Sequence, residues 1–195
     1  MTTVAQQIVK ALADYGVRTI WGVVGDALNP VTDAIASEER LRWIGVRHEE
    51  VAAFAAGAEA QLSGRMGVCM GTVGPGALHL LNGLYDAAKS HAPVLAICGQ
   101  VPVAELGTDY FQEVNNDVVF SNVAVFARTV TSVSQLPQML EQAVNAAIQQ
   151  QGVAVLSLCA DVGELELPKD SPHLASPTRP GPRRRTPTTS PRPLS

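Results

Sequence analysis

Cysteine is scarce in this chain, and so are aromatic and charged residues. The three cysteines, Cys69, Cys98 and Cys159, form no Cys-x-x-Cys or Cys/His spacing, and the four histidines form no His-x-x-x-His pair. That pattern argues against a metal centre, and thiols in apolar runs are expected to be buried and free. No apolar run approaches the ~18 residues of a membrane span. The opening MTTVAQQIVKALADYGV has the pattern of an amphipathic helix rather than a charged start with an apolar block, so no signal peptide and a cytoplasmic location are expected. Neither a GxGxxG fingerprint nor a Gly-Lys-Ser/Thr phosphate loop is present, which disfavours a generic Rossmann nucleotide binder. No repeat recurs at a fixed period.

What is present is apolar. Hydrophobic residues make up 46% of 195 residues, ample for one domain with a sizeable core. Strand-like and helical patterns alternate. A first helix is expected over 3–15, with Ile8, Val9 and Leu12 facing inward and Gly16 at its end. A strand (19–25), a short helix (30–38) and a strand (41–46) follow. After the central stretch described next come a strand (93–100), a loop (101–114) and a short helix capped by Asn115 or Asn116 and running to about 124. A strand over 128–133 leads to a helix over 135–151, capped by Ser134, with Leu136, Leu140, Val144 and Ile148 on one face and Gly152 at its end. The last strand is 153–161. Several strands read as apolar on both faces, so the expected class is α/β, a mostly parallel sheet covered by helices on each side.

The informative stretch is Arg47–Gly76, RHEEVAAFAAGAEAQLSGRMGVCMGTVGPG. Residues 49–62 are good helix formers, with Phe54, Ala55, Ala58 and Leu62 at near-helical spacing. Gly57 is either a weak point in that helix or a place for close packing. Glu49 and Glu50 fall where a strand's carboxyl end meets a helix's amino end, the position where open α/β sheets bind ligands. Carboxylates there complement the helix dipole, and one aimed into a cleft could instead do proton chemistry; spacing leaves both open. A buried strand is expected over 67–73. The Gly74-Pro75-Gly76 turn follows, then a helix over 77–90.

RHEEVAAFAAGAEAQLSG followed by GTVGPGALHLLNGLYDA resembles the amino-terminal pyrimidine-binding domain of thiamine-diphosphate-dependent enzymes. The likeness is nearest to bacterial pyruvate oxidases and pyruvate:quinone dehydrogenases, with acetolactate synthases somewhat further off. It extends over roughly 3–168 through WGVVGDALN (21–29), PVLAICGQVP (93–102) and YFQE (110–113).

The resemblance implies the thiamine-diphosphate-binding fold and a set of site residues. Glu49 corresponds to the catalytic glutamate, which hydrogen-bonds N1′ of the cofactor's aminopyrimidine and so activates the cofactor toward pyruvate. Thr72, Gly74, Pro75 and Gly76 correspond to the loop against that ring, and Asn82 to a further cofactor-side position. Phe111, Gln112 and His79 correspond to the substrate side. Glu50 is assigned to the helix terminus. Mg²⁺ and FAD are implied for the oxidising relatives, but the Gly-Asp-Gly…Asn-Asn diphosphate motif has no match here. The expected partners are a family-type homodimer or tetramer, or the diphosphate-binding domain, with a small 2-oxo acid as substrate and no nucleic acid. The alternative is a non-catalytic remnant or interaction module that folds but lacks the diphosphate and Mg²⁺ site.

Past Pro168 the composition changes. Residues 171–195 hold seven of the 13 prolines, five of the 14 basic residues and no acid, on a chain of formal charge −4. Such a segment cannot bury a core and is expected to be disordered, separate from a domain at 1–168. It does not resemble the family, and its Pro/Arg/Thr/Ser bias suits a frameshifted reading.

Overall fold

Six strands pair side by side in the order β2-β1-β3-β4-β6-β5, every pair parallel, in a computed structural model that describes residues 2–168. The strands are β1 (Thr19–Gly22), β2 (Arg42–Gly45), β3 (Gly67–Gly71), β4 (Val94–Gln100), β5 (Ala124–Val130) and β6 (Val153–Cys159). The order reverses between β1 and β3, so their carboxyl ends frame the switch-point crevice of an open parallel sheet. The basic, proline-rich segment from Lys169 onward lies outside the described residues.

The central strands are buried along their whole length, and alternate residues enter two different cores. Val68, Met70, Leu95, Ile97, Ala154 and Leu156 pack with α1 (Val4–Asp14), α2 (Asn29–Ala36) and α7 (Leu136–Gln150). Cys69, Val94, Ala96, Cys98, Val153 and Val155 face the other way, toward α3 (Glu49–Ser63), α4 (Pro75–His79) and α5 (Leu81–Lys89). The short α6 (Asn116–Val119) precedes β5, and Phe120 just after it is fully buried in that second core. Continuous apolar strands are what a sheet covered on both faces requires.

The first helix behaves as its pattern predicts. Ile8, Val9 and Leu12 are buried, Thr3 and Gln6 form a reciprocal capping box, and Gly16 follows the helix at φ +89°. All three cysteines are buried and free.

Several local expectations shift. The buried face of α3 is Glu49, Ala52, Ala53, Ala56, Gly57 and Ala60, while Phe54 and Leu62 are 41% and 90% exposed. Alanine suits either face of a helix, and here the small residues are the ones that let α3 lie close on β3 and α5. Gly74-Pro75-Gly76 is not a free turn: Pro75 is the first residue of α4, and the expected single helix over 77–90 breaks at Leu80 into α4 and α5. Strand β5 begins at Ala124 rather than 128, because α6 stops at Val119 and frees the chain to pair with β6. Ser132, not Ser134, makes the capping box before α7, whose end is turned by Gln151 at φ +51° rather than by Gly152. Among the described residues no helix is long and apolar enough to cross a membrane.

Candidate functional site

Glu49 opens α3 directly beyond β2. His48 is extended (φ −155°, ψ 138°) and serves as N-cap, its Nδ1 accepting the Glu50 amide at 3.3 Å. That switch from extended to helical backbone turns the side chains of residues 48, 49 and 50 in different directions. Glu49 goes inward and is only 7% exposed. Glu50 stays near the surface, where its Oε1 accepts from Asn82 Nδ2 at 3.2 Å. Asn82 therefore meets Glu50 and not Glu49. Glu50 sits in the first helical turn, as assigned.

The neighbours of Glu49 come from β3 and α4. His79 Nδ1 lies 3.1 Å from Glu49 Oε2 and donates to it when that nitrogen carries the proton. The His48 and His79 rings stack, centroids 4.4 Å apart. A Cβ at Gly76 would stand 3.4 Å from Glu49 Oε1 and 2.8 Å from Thr72 Cγ2, so only glycine lets the α4 backbone lie this close to Thr72 and the carboxylate. Thr72 Oγ1 is buried and has no hydrogen-bond partner among the described residues. A buried hydroxyl normally finds a partner, and an orphan one calls for an explanation. Glu49, His79, Thr72 and Gly76 thus form one cluster, drawn from the start of α3, the residue after β3, and α4.

The Gly74 backbone connects this cluster to the loop over 101–115. Gly74 has φ +62° and ψ −114°, a conformation for glycine, and an added Cβ would meet the Gln112 carbonyl oxygen at 2.6 Å. Gln112 itself has φ +64°. Phe111 is 80% exposed. Both residues line a cavity of about 310 Å³, together with Asp26, Val73, Gln100 and Tyr110. Glu49 and His79 do not line it, so His79, expected on the substrate side, lies with Glu49, while Phe111 and Gln112 stand in an adjoining place that meets the cluster at residues 72–74.

Three positioning side chains escaped the sequence reading. Glu113 takes the Gly107, Asp109 and Tyr110 amides at 2.5, 3.1 and 3.4 Å, shaping the turn that presents Tyr110 and Phe111. Gln100 Nε2 donates to the Val114 carbonyl at 2.7 Å, and Asn116 Nδ2 to Gly99 O and Ser157 Oγ at 3.3 and 3.1 Å. These bonds tie both ends of the loop to the sheet. A polar residue at the end of an apolar strand, as Gln100 is, was the available signal.

Comparison with known proteins identifies the family. The family "Thiamine pyrophosphate enzyme, N-terminal TPP binding domain" matches residues 2–119. The chain is 49% identical over 161 residues to the putative thiamine pyrophosphate-containing protein YdaP of Bacillus subtilis, covering 82% of this chain and 28% of that one. It is 40% identical over 164 residues to the pyruvate oxidase of Lactiplantibacillus plantarum, covering 84% and 27%. It is 38% identical over 168 residues to an acetolactate synthase of Mycobacterium bovis, covering 86% and 26%. The chain therefore spans little more than a quarter of the length of these curated relatives.

Proposed function

Because the chain belongs to the thiamine pyrophosphate enzyme family, matching its N-terminal TPP-binding domain, we propose that it receives the aminopyrimidine end of thiamine diphosphate, with Glu49 as the carboxyl that meets ring nitrogen N1′. The proposed domain is 1–168. The observation that carries this is the burial of Glu49 against the bare backbone of Gly76, which no side chain separates from the carboxylate.

The residues present suit that group. Glu49 offers a hydrogen-bonding oxygen, Oε1, beside the bare backbone of Gly76, while Oε2 is engaged by His79. Thr72 turns its methyl toward Gly76 and its uncommitted Oγ1 toward Gly25. Water is largely excluded from the carboxyl, so a hydrogen bond from it to a ring nitrogen is weakly screened. A cofactor held here would supply carbanion chemistry toward the keto carbon of a 2-oxo acid. This chain's part is to hold a proton at Glu49, orient that carboxyl through His79 Nδ1, and present backbone at Gly74 and Gly76 close to the ring. Pro75 stiffens that backbone, and Asn82 steadies the helix start through Glu50.

The substrate side is assigned to Phe111 and Gln112 and the cavity they line, with pyruvate as the substrate. Mg²⁺, the diphosphate and FAD fall to the remaining length of the relatives, supplied by a second polypeptide or subunit in the cytoplasm. The test supplies that missing portion from a pyruvate oxidase relative, with thiamine diphosphate, Mg²⁺ and pyruvate. Turnover that needs this chain and disappears in Glu49→Gln is expected; turnover indifferent to Glu49→Gln removes it from the mechanism. A second reading, a pairing module without catalysis, draws on Val51, Phe54, Leu78 and Tyr85, exposed apolar side chains on α3, α4 and α5. Assembly with the missing portion but no turnover under any condition would favour it.

A further inference from the structure

His48 and Glu49 are adjacent in the chain, and His79 lies 30 residues beyond Glu49. Spacing of that kind carries no metal signature. The fold nevertheless brings the three side chains together, and among the described residues they are the only cluster of histidine, cysteine, aspartate or glutamate able to hold a metal ion. One donor atom from each lies within 4.8 Å of the other two.

The cluster has a definite shape. The Glu49 side chain is 10% exposed and forms the floor. The His48 and His79 side chains, 47% and 46% exposed, form a rim open to entering ions. Donors on a tetrahedral ion about 2.0–2.2 Å away stand roughly 3.4 Å from one another. The Glu49–His79 separation of 3.1 Å is close to that value already. His48 can meet an ion through Nε2 while Nδ1 keeps the Glu50 amide, or through Nδ1 at the loss of that bond, which at 3.3 Å is a long one. Glu50 Oε2, 3.8 Å from His48 Nδ1, adds a second negative charge nearby.

Two imidazoles and one carboxylate are a donor set for borderline transition metals, and Mg²⁺, which demands oxygen ligands, is a poor match. We propose that His48, Glu49 and His79 form a binding site for a divalent transition-metal ion of the Zn²⁺ type, held by three protein donors with water completing its shell. The site does not rest on the cofactor reading. It does have a consequence for any role of Glu49: an ion here occupies that carboxyl and blocks it.

Calorimetric titration of the full chain with Zn²⁺ alone, and in parallel with Mg²⁺ alone, tests the site without cofactor or substrate, so its outcome is separate from that of the proposed function. One Zn²⁺ per chain is expected, with no heat from Mg²⁺. His48→Asn and His79→Asn should each weaken Zn²⁺ binding roughly tenfold or more, the scale on which even outer partners of a metal act. His91→Asn and His173→Asn should leave it unchanged. Co²⁺ absorption of the unmodified chain is the second measurement, and bands of nitrogen and oxygen ligation without a thiolate charge-transfer band are expected. Zn²⁺ affinity untouched in the His48→Asn/His79→Asn double variant would overturn the site. So would a thiolate band, or binding lost only with His91 or His173.

Discussion

Replacing Gly83 with alanine should push α3 and α5 apart. The new Cβ would stand 2.6 Å from Ala53 Cβ and 2.6 Å from the Phe54 amide nitrogen, and 2.9 Å from the Ala53 carbonyl carbon. Carbon atoms prefer about 3.5–4.0 Å, so the overlap is close to an ångström. Most of it is against backbone, which no rotamer change can relieve. Overpacking of this kind costs about 1–3 kcal/mol, and the rigid obstacle argues for the upper end. Alanine recovers about 1 kcal/mol of helix propensity. The net is about 2 kcal/mol of destabilisation, or roughly 4–8 °C in melting temperature for a domain of this size. Gly57 is the control on the facing helix. Its added Cβ would meet Ala87 Cβ at 3.3 Å, a fit that yields with a shift of a few tenths of an ångström, so propensity should leave Gly57→Ala neutral or slightly stabilised. Thermal unfolding followed by circular dichroism reads both. A Gly83→Ala melting point at or above that of the unmodified chain would refute the packing argument, as would equal losses in the two variants. Because α3 carries Glu49 while α4, just before α5, carries His79, the same displacement should also disturb their 3.1 Å contact.

Three further outcomes are expected. Gly74→Ala forces a side chain into a glycine conformation and against Gln112, a strain of about 1–3 kcal/mol; hydrogen exchange should accelerate over 107–115, and unchanged protection there would count against the Gly74–Gln112 contact. Hydrogen bonds from the Arg40 side chain and backbone hold Glu38 down to about 2 from its usual 4.5, and Lys10 and Arg40 lower Asp14. A folded-state value below the unfolded one stabilises fully above about pH 4.5 and is lost as pH falls toward 2. Urea midpoints over that range should slope less in Arg40→Ala, and an identical slope would exclude the pair from the acid response. Burial pushes the Cys69 and Cys159 thiols up to about 12 from 9.0, and Cys98 also rises well above its ordinary value. The neutral thiol is thus favoured in the fold, so this contribution is whole below about pH 9 and drains as pH climbs toward 12. The native chain should leave all three thiols unreactive to a thiol reagent until urea unfolds it; a fast-reacting thiol in the native chain would contradict their burial.

Much of the fold was written locally. Alternating apolar runs announced the buried parallel strands, and residues 3–16 announced their helix, because periodicity, capping and a glycine stop act within a few residues of one another. The pairing of Glu49 with the Gly74–Gly76 segment was legible only through family resemblance. No local rule says that the end of one strand will stand beside the end of another. The buried face of α3 was misread for a related reason. With alanine on most positions, the helix carries little pattern of its own, and the closeness of β3 and α5 selects which side turns inward.

Composition and spacing by themselves determined an α/β domain with its carboxylates at a strand-to-helix junction, since those features follow from short-range backbone preference. Tertiary structure alone decided that Glu49 is sheltered while Glu50 is not, that His48 stacks on His79, and that Gln112 closes on Gly74. Each depends on segments far apart in the chain arriving within a few ångströms, and the parallel pairing of β1 with β2 and β3, and of β3 with β4, brings those ends together.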